Sequence, residues 1–186
     1  MEISNTFYTA DRIQWRQWLE ENYKTAQEIW LIYPLKHSAL PRLPYNDAVE
    51  EALCFGWIDS TNKKLDDGRN AQRFTPRKPR SPYSQTNKER LRRLVEQEKV
   101  KPEVLASLGD ILKEPFEFPA DIEAALRANQ TAWDNFQRYS GPYQRIRVAY
   151  VDGARRRSGE FEKRLNHLIK MTEQDKQFGF GIETYY

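Results

Sequence analysis

The residue pattern predicts an α+β fold, a small antiparallel sheet with helices followed by a helical C-terminal part. Three observations lead there. The run Glu28-Ile-Trp-Leu-Ile-Tyr-Pro34 is β-branched and aromatic and is closed by proline, the pattern of a short buried strand. Residues 57–65 and 70–75 read as extended segments joined by Asp66-Asp67-Gly68-Arg69, and Asp-Gly between such segments is a strong hairpin signal. Beyond Pro102, apolar residues recur at helical spacing until the last few residues.

Taken in order, Thr9 is placed to cap a first helix in which Ile13, Trp15, Trp18 and Leu19 form a stripe ending near Asn22. After the strand at 28–35, Asn46 opens a second helix that buries Val49, Ala52 and Leu53, and Gly56 supplies its left-handed stop. The hairpin follows, starting at Trp57. Pro76, Pro79 and Pro82 push the residues before them toward extended geometry and stiffen the link to a third helix. Thr86-Asn-Lys-Glu89 reads as the capping box of that helix, with Leu91, Leu94 and Val95 as its buried stripe. Pro102 suits a first helical turn, and further helices are expected at 119–128, 131–139, 142–156 and 158–171. The expected organisation is an α+β domain over 1–100, a helical region over 101–175, and a tail over 176–186 that is mobile or docks on a partner.

Composition limits the function classes. Five Trp, ten Tyr and nine Phe in 186 residues exclude a disordered chain. The amino terminus has neither a basic nor an apolar targeting region, and no apolar run approaches the roughly 20 residues of a membrane span, so a cytoplasmic protein of bacterial type is expected. A single cysteine, Cys54, excludes an internal disulfide and suits a reducing compartment. Net charge of +3 conceals an uneven distribution, because residues 61–101 carry 13 basic and 5 acidic side chains. Such a concentrated field draws anionic partners, nucleic acid among them.

Catalytic and metal motifs are sparse. His37 and His167 lie far apart, and no Cys-x-x-Cys, His-x-x-x-His, Walker or nucleophile-elbow spacing occurs, so no metal and no cofactor is expected. Cys54 follows Leu53 on an apolar helix face, where a free thiol is usually a small core residue. Asp59 shares a strand face with Trp57 and reads as a general base or, more simply, as an ion-pair partner for nearby arginines. Arg73, Arg77, Lys78 and Arg80 interleave with Phe74 and Tyr83, a combination that grips phosphate or stacks on a ring, or that pins the proline arm to acidic residues.

Glu50-Glu-Ala-Leu-Cys-Phe-Gly-Trp-Ile-Asp-Ser60, followed by Phe74-Thr-Pro-Arg-Lys-Pro-Arg-Ser81, Ser84 and Asn87, resembles the YdeI/OmpD-associated (bacteriocin-protection) family of bacterial proteins. The early Trp-x-x-Trp-Leu, the Ile-Trp-Leu strand and the stretch from Pro119-Ala-Asp-Ile-Glu-Ala-Ala-Leu126 to Lys170 fit it as well, so the likeness spans most of the chain. Tyr83 stands where the family usually has tryptophan, residues 96–118 look altered, and Gly159-Glu160-Phe161 replaces a Thr-Arg pair, whereas Arg164 fits. The resemblance implies tolerance of bacteriocins or antimicrobial peptides and no particular chemistry.

The leading expectation is a binding protein of stress tolerance without catalysis of its own, in which Trp57, Asp59, Phe74, Arg77, Arg80 and Tyr83 frame a pocket for an anion, a small ligand or a protein partner. The alternatives are a non-specific nucleic-acid-binding protein and an enzyme of unknown reaction using Asp59 or Cys54.

Overall fold

The computed structural model describes residues 3, 5–35, 37–79 and 81–186. Its chain divides into two compact units, Met1–Tyr83 with Arg90–Leu112, and Ser84–Glu89 with Lys113–Tyr186.

The first unit begins with strand β1 (Thr6–Phe7) and helix α1 (Arg12–Asn22). Helix α1 is capped by Asp11, whose carboxylate accepts from the Ile13 amide at 2.7 Å. Thr9, the expected cap, lies two residues earlier and instead accepts from the Asp11 amide and donates to Gln14. A carboxylate suits the positive end of the helix better than a hydroxyl does. Strand β2 (Ile29–Tyr33) is buried along its whole length. Because side chains alternate across a strand, Ile29, Leu31 and Tyr33 enter the main core, while Trp30 and Ile32 pack with Ala71 on the opposite face.

Helix α2 (Tyr45–Cys54) starts one residue before the expected Asn46, behind Pro44. It ends at Gly56, whose φ of +72° is the left-handed stop read from the sequence. Strands β3 (Trp57–Lys64) and β4 (Asn70–Pro76) form the hairpin, with the Gly68 amide donating to the Leu65 carbonyl across the turn. The sheet order is β1-β2-β4-β3. Strand β4 is antiparallel to both neighbours, but β1 runs parallel to β2, so the sheet is mixed and not wholly antiparallel. A two-residue strand is too short to leave a period in the sequence.

Helix α1, α2, the second half of α3 (Gln85–Glu96) and the end of α4 (Pro102–Leu108) supply Trp15, Leu19, Val49, Leu53, Leu91, Leu94 and Leu108 to the core on one sheet face. Each of these leucines contributes about 2 kcal/mol by leaving water. Helix α3 begins one residue before Thr86, and the Ser84 hydroxyl accepts from the Asn87 amide, so the expected capping box does not form. Ile111 and Leu112 also pack against this core, which carries the first unit past the boundary expected near residue 100.

In the second unit, α5 (Ala120–Arg127), α6 (Gln130–Arg138), α7 (Gly141–Asp152) and α8 (Glu160–Glu173) close around Ile122, Leu126, Phe136, Val148, Val151 and Leu168. The last residues, expected as a mobile tail, form a short 3-10 turn at Glu183–Tyr185, and Tyr185 and the preceding Ile182 are buried with Tyr143 and Ile146. No described helix is long and apolar enough to cross a membrane.

Candidate functional site

Of the six residues singled out from the sequence, Arg80 lies outside the described residues, and the other five go to three different environments. Trp57 is 1% exposed and Phe74 fully buried, so neither offers a ring face to a ligand. The Trp57 indole nitrogen donates to the Tyr23 carbonyl at 3.1 Å, and Phe74 packs against Trp15 at 5.3 Å between ring centroids. Both are core residues. Their alternation with polar neighbours on the hairpin marks a sheet face turned inward, which a sequence reading cannot tell from a face turned to a pocket.

Arg77 and Tyr83 do meet. The guanidinium lies 3.6 Å from the centroid of the Tyr83 ring, and Nη2 donates to the carbonyls of Ser81 and Pro82. The Ser81 amide also donates to the Lys78 carbonyl at 3.2 Å. Arg77 therefore pins the proline arm through backbone carbonyls and an aromatic face, not through carboxylates.

Much of the remaining basic stretch is neutralised by acids distant in sequence. Arg73 binds Glu28 at 2.6 Å, Arg93 binds Glu50, Lys101 binds Glu20, and Lys88 binds Glu114 at 3.1 Å. A local excess of 13 bases over 5 acids in the sequence is thus partly paired once the chain folds. Glu50 and Glu51 are buried beside Arg12 and Arg16 and tie α1 to α2.

Asp59 belongs to another cluster, and its neighbours were not singled out in the sequence. Its Oδ2 accepts from the Tyr45 hydroxyl at 2.9 Å. Burial, and then the Asp59 charge, push the Tyr45 phenol up to about 12. Burial likewise raises Tyr33, with the Tyr45 and Asp59 charges adding to the rise and Arg42 opposing it. The Arg42 guanidinium stands 5.8 Å from the Tyr33 ring centroid. The Tyr33 hydroxyl and the Arg42 Nε are both buried and have no hydrogen-bond partner among the described residues. Arg90 donates to Asn46 at 2.8 Å and exerts a positive field on Tyr45.

Four elements bring these groups together. Tyr33 is the last residue of β2, Arg42 sits in the proline-flanked loop ahead of α2, Tyr45 opens α2, and Asp59 lies on β3. A bulge follows at once: Asp59 pairs with Phe74 and Asn62 with Gln72, so residues 60 and 61 together face residue 73. Simple alternation would send Asp59 and Asn62 to opposite faces. The extra residue returns Asn62 to the Asp59 face, where its amide donates to the buried Gln72 at 3.1 Å. Of this cluster only Asp59 was legible beforehand. Pro34, Pro41 and Pro44 flanking Arg42 were the one available hint that the loop is ordered.

The chemistry of the cluster favours acceptors. Two buried donors without partners, one of them cationic, suit a carboxylate or phosphate oxygen, whereas Asp59 is already engaged by a phenol. Cys54 is fully buried, and desolvation raises its thiol to about 11, which disfavours the nucleophilic thiolate. Among the described residues no group of three His, Cys, Asp or Glu side chains is placed to hold a metal ion.

Comparison with protein families decides the affiliation. Residues 7–107, more than half of the chain, match the model of a domain of unknown function, DUF8412. The chain belongs to the DUF8412 family. The whole Tyr33–Arg42–Tyr45–Asp59 cluster lies inside the DUF8412 match, as do the Glu50–Ser60 and Phe74–Ser81 motifs. Residues 115–175 match a second model, described as bacteriocin-protection, YdeI or OmpD-associated. The resemblance carried by the stretch from Pro119 onward therefore holds for the second unit, downstream of the DUF8412 domain. No curated protein and no solved structure matches the chain.

Proposed function

We propose that the protein is a cytoplasmic binding protein without catalysis of its own, which takes a small anionic ligand in its first unit against Tyr33 and Arg42. The observation that carries this reading is the pair of buried donors, the Tyr33 hydroxyl at the end of β2 and the Arg42 Nε in the loop ahead of α2, which have no hydrogen-bond partner among the described residues. A buried polar group without a hydrogen bond costs roughly 1–3 kcal/mol, and ligand oxygens that satisfy these donors would recover that cost as affinity. Arg42 supplies charge, Tyr33 a directional donor, and Tyr45 with Asp59 a fixed polar wall. The bacteriocin-protection description of the second unit's family supports a role in tolerance of antimicrobial agents.

Citrate, acetate and inorganic phosphate, titrated at constant ionic strength with chloride as the reference, test the reading by thermal shift. A ligand that binds only the folded state raises the melting temperature by an amount that grows with the logarithm of its concentration above Kd. Arg42→Met should weaken the binding of whichever anion shifts the protein by at least about tenfold, or ~1.4 kcal/mol. Tyr33→Phe should weaken it by about 1 kcal/mol. Equal shifts in the wild type and both variants would remove the site.

A further inference from the structure

The second unit holds another buried cation that no carboxylate balances. Arg147, on α7, is 7% exposed and its Nε has no hydrogen-bond partner among the described residues. Among the described residues no acidic side chain lies within ion-pair distance of it. Its guanidinium is instead set against aromatic faces, 4.9 Å from the centroid of Tyr150 and 4.9 Å from that of Phe178. Arg164, on α8, approaches the same Tyr150 ring at 4.0 Å, and its Nε is also buried without a hydrogen bond. One Arg164 nitrogen, Nη1, donates to the Tyr150 carbonyl at 2.9 Å, and the nearest carboxylate, Glu160, stands 3.6 Å from Nε.

Two guanidinium groups around one ring repel each other, and desolvation pulls Arg147 below the usual arginine range with the Arg164 charge acting in the same direction. Such an arrangement is costly. The desolvation penalty of an isolated buried charge exceeds what cation–π contacts return. The chain maintains it nonetheless, and shapes the backbone to do so. Gly179 has φ of +127°, and a Cβ there would stand 2.9 Å from Arg147 Nη1. The Phe178 amide donates to the Tyr143 hydroxyl at 3.0 Å, which fixes the segment over the guanidinium. Tyr150, by contrast, is 44% exposed, so the cluster opens to solvent on the Tyr150 and Arg164 side.

We infer that Arg147 and Arg164, gathered around Tyr150, form an oxyanion site of the phosphate class in the second unit, separate from the Tyr33–Arg42 cluster. An anion there supplies the negative charge that Arg147 lacks, with Arg164 as the second, more accessible cation, and guanidinium geometry matches phosphate oxygens. Free phosphate and a phosphate ester present the same oxygens, so the site recognises the group and not its bearer.

Isothermal titration of the full-length Arg42→Met chain with inorganic phosphate, at fixed ionic strength, tests the site without interference from the first unit. Saturable binding is expected. Arg147→Met should weaken it at least tenfold, Arg164→Gln by a smaller factor, and Arg156→Gln, an exposed arginine of the same unit, not at all. Phenyl phosphate binding more tightly than phosphate would assign the site to esters, and the reverse order to the free ion, either being consistent with the assignment. Absence of saturable binding, or binding unchanged by Arg147→Met, overturns it. Should Arg147→Met fail to fold by circular dichroism, Arg164→Gln decides alone, since unchanged affinity in that variant also overturns the site.

Discussion

Single residues here show how burial changes the role that chemistry suggests. Trp57, Phe74 and Cys54 each belong to a type that binds ligands or reacts, and each is removed from solvent. For Cys54 the consequence is measurable. Burial pushes its thiol up from an ordinary 9.0 to about 11, so the folded state holds its proton more firmly than the unfolded state does. Folding stability is therefore at its full value below pH 9 and declines as pH rises from there through about 11. Urea denaturation at pH 8 and pH 10.5 should show a loss in the wild type that is smaller in Cys54→Ala. Iodoacetamide at pH 8 should modify Cys54 only in the unfolded protein; rapid labelling of the native chain would contradict its burial.

At the scale of elements, the junction between α2 and β3 depends on one glycine. Gly56 holds φ at +72°, its amide donates to the Leu53 carbonyl, and a Cβ would meet Val104 Cγ2 at 3.3 Å. Gly56→Ala should lower stability by about 1–2 kcal/mol through left-handed strain alone, with further loss if Val104 cannot move. A chemical-denaturation midpoint unchanged from the wild type would mean that the turn relaxes freely. This stop was legible because glycine after an apolar helical stripe has a backbone reason. The bulge between Asp59 and Asn62 was not, because nothing in Asp-Ser-Thr-Asn marks an extra residue, and the slip exists only relative to the partner strand. Strict alternation along β3 would place Asn62 on the face opposite Asp59, and the bulge reverses that.

Across the whole molecule, membership of a unit does not follow chain order. Residues 84–89 belong with 113–186, although the rest of α3 belongs with the first unit. Glu89 explains part of this, since its nearly buried carboxylate takes both Nε and Nη2 of Arg145 at 2.7 and 2.8 Å. Glu89→Gln should cost about 2 kcal/mol in the second unit, the scale of a lost charged hydrogen-bond pair. Hydrogen exchange should then rise across α7 while β2 stays protected; equal change in both would show that the pair is not local to that unit.

By itself the sequence determined the α+β class, the hairpin at Asp66–Arg69, the glycine stop at residue 56 and the succession of helices after Pro102. These are local properties, set by backbone preference and by the period of apolar residues within a few turns. Tertiary structure alone decided which aromatics are core, how acids distant in sequence pair with the basic stretch, and that Tyr33, Arg42, Tyr45 and Asp59 share one place. Those outcomes rest on contacts between residues far apart in the chain, where charge and side-chain type are known beforehand but the neighbour that satisfies them, or leaves them unsatisfied, is not.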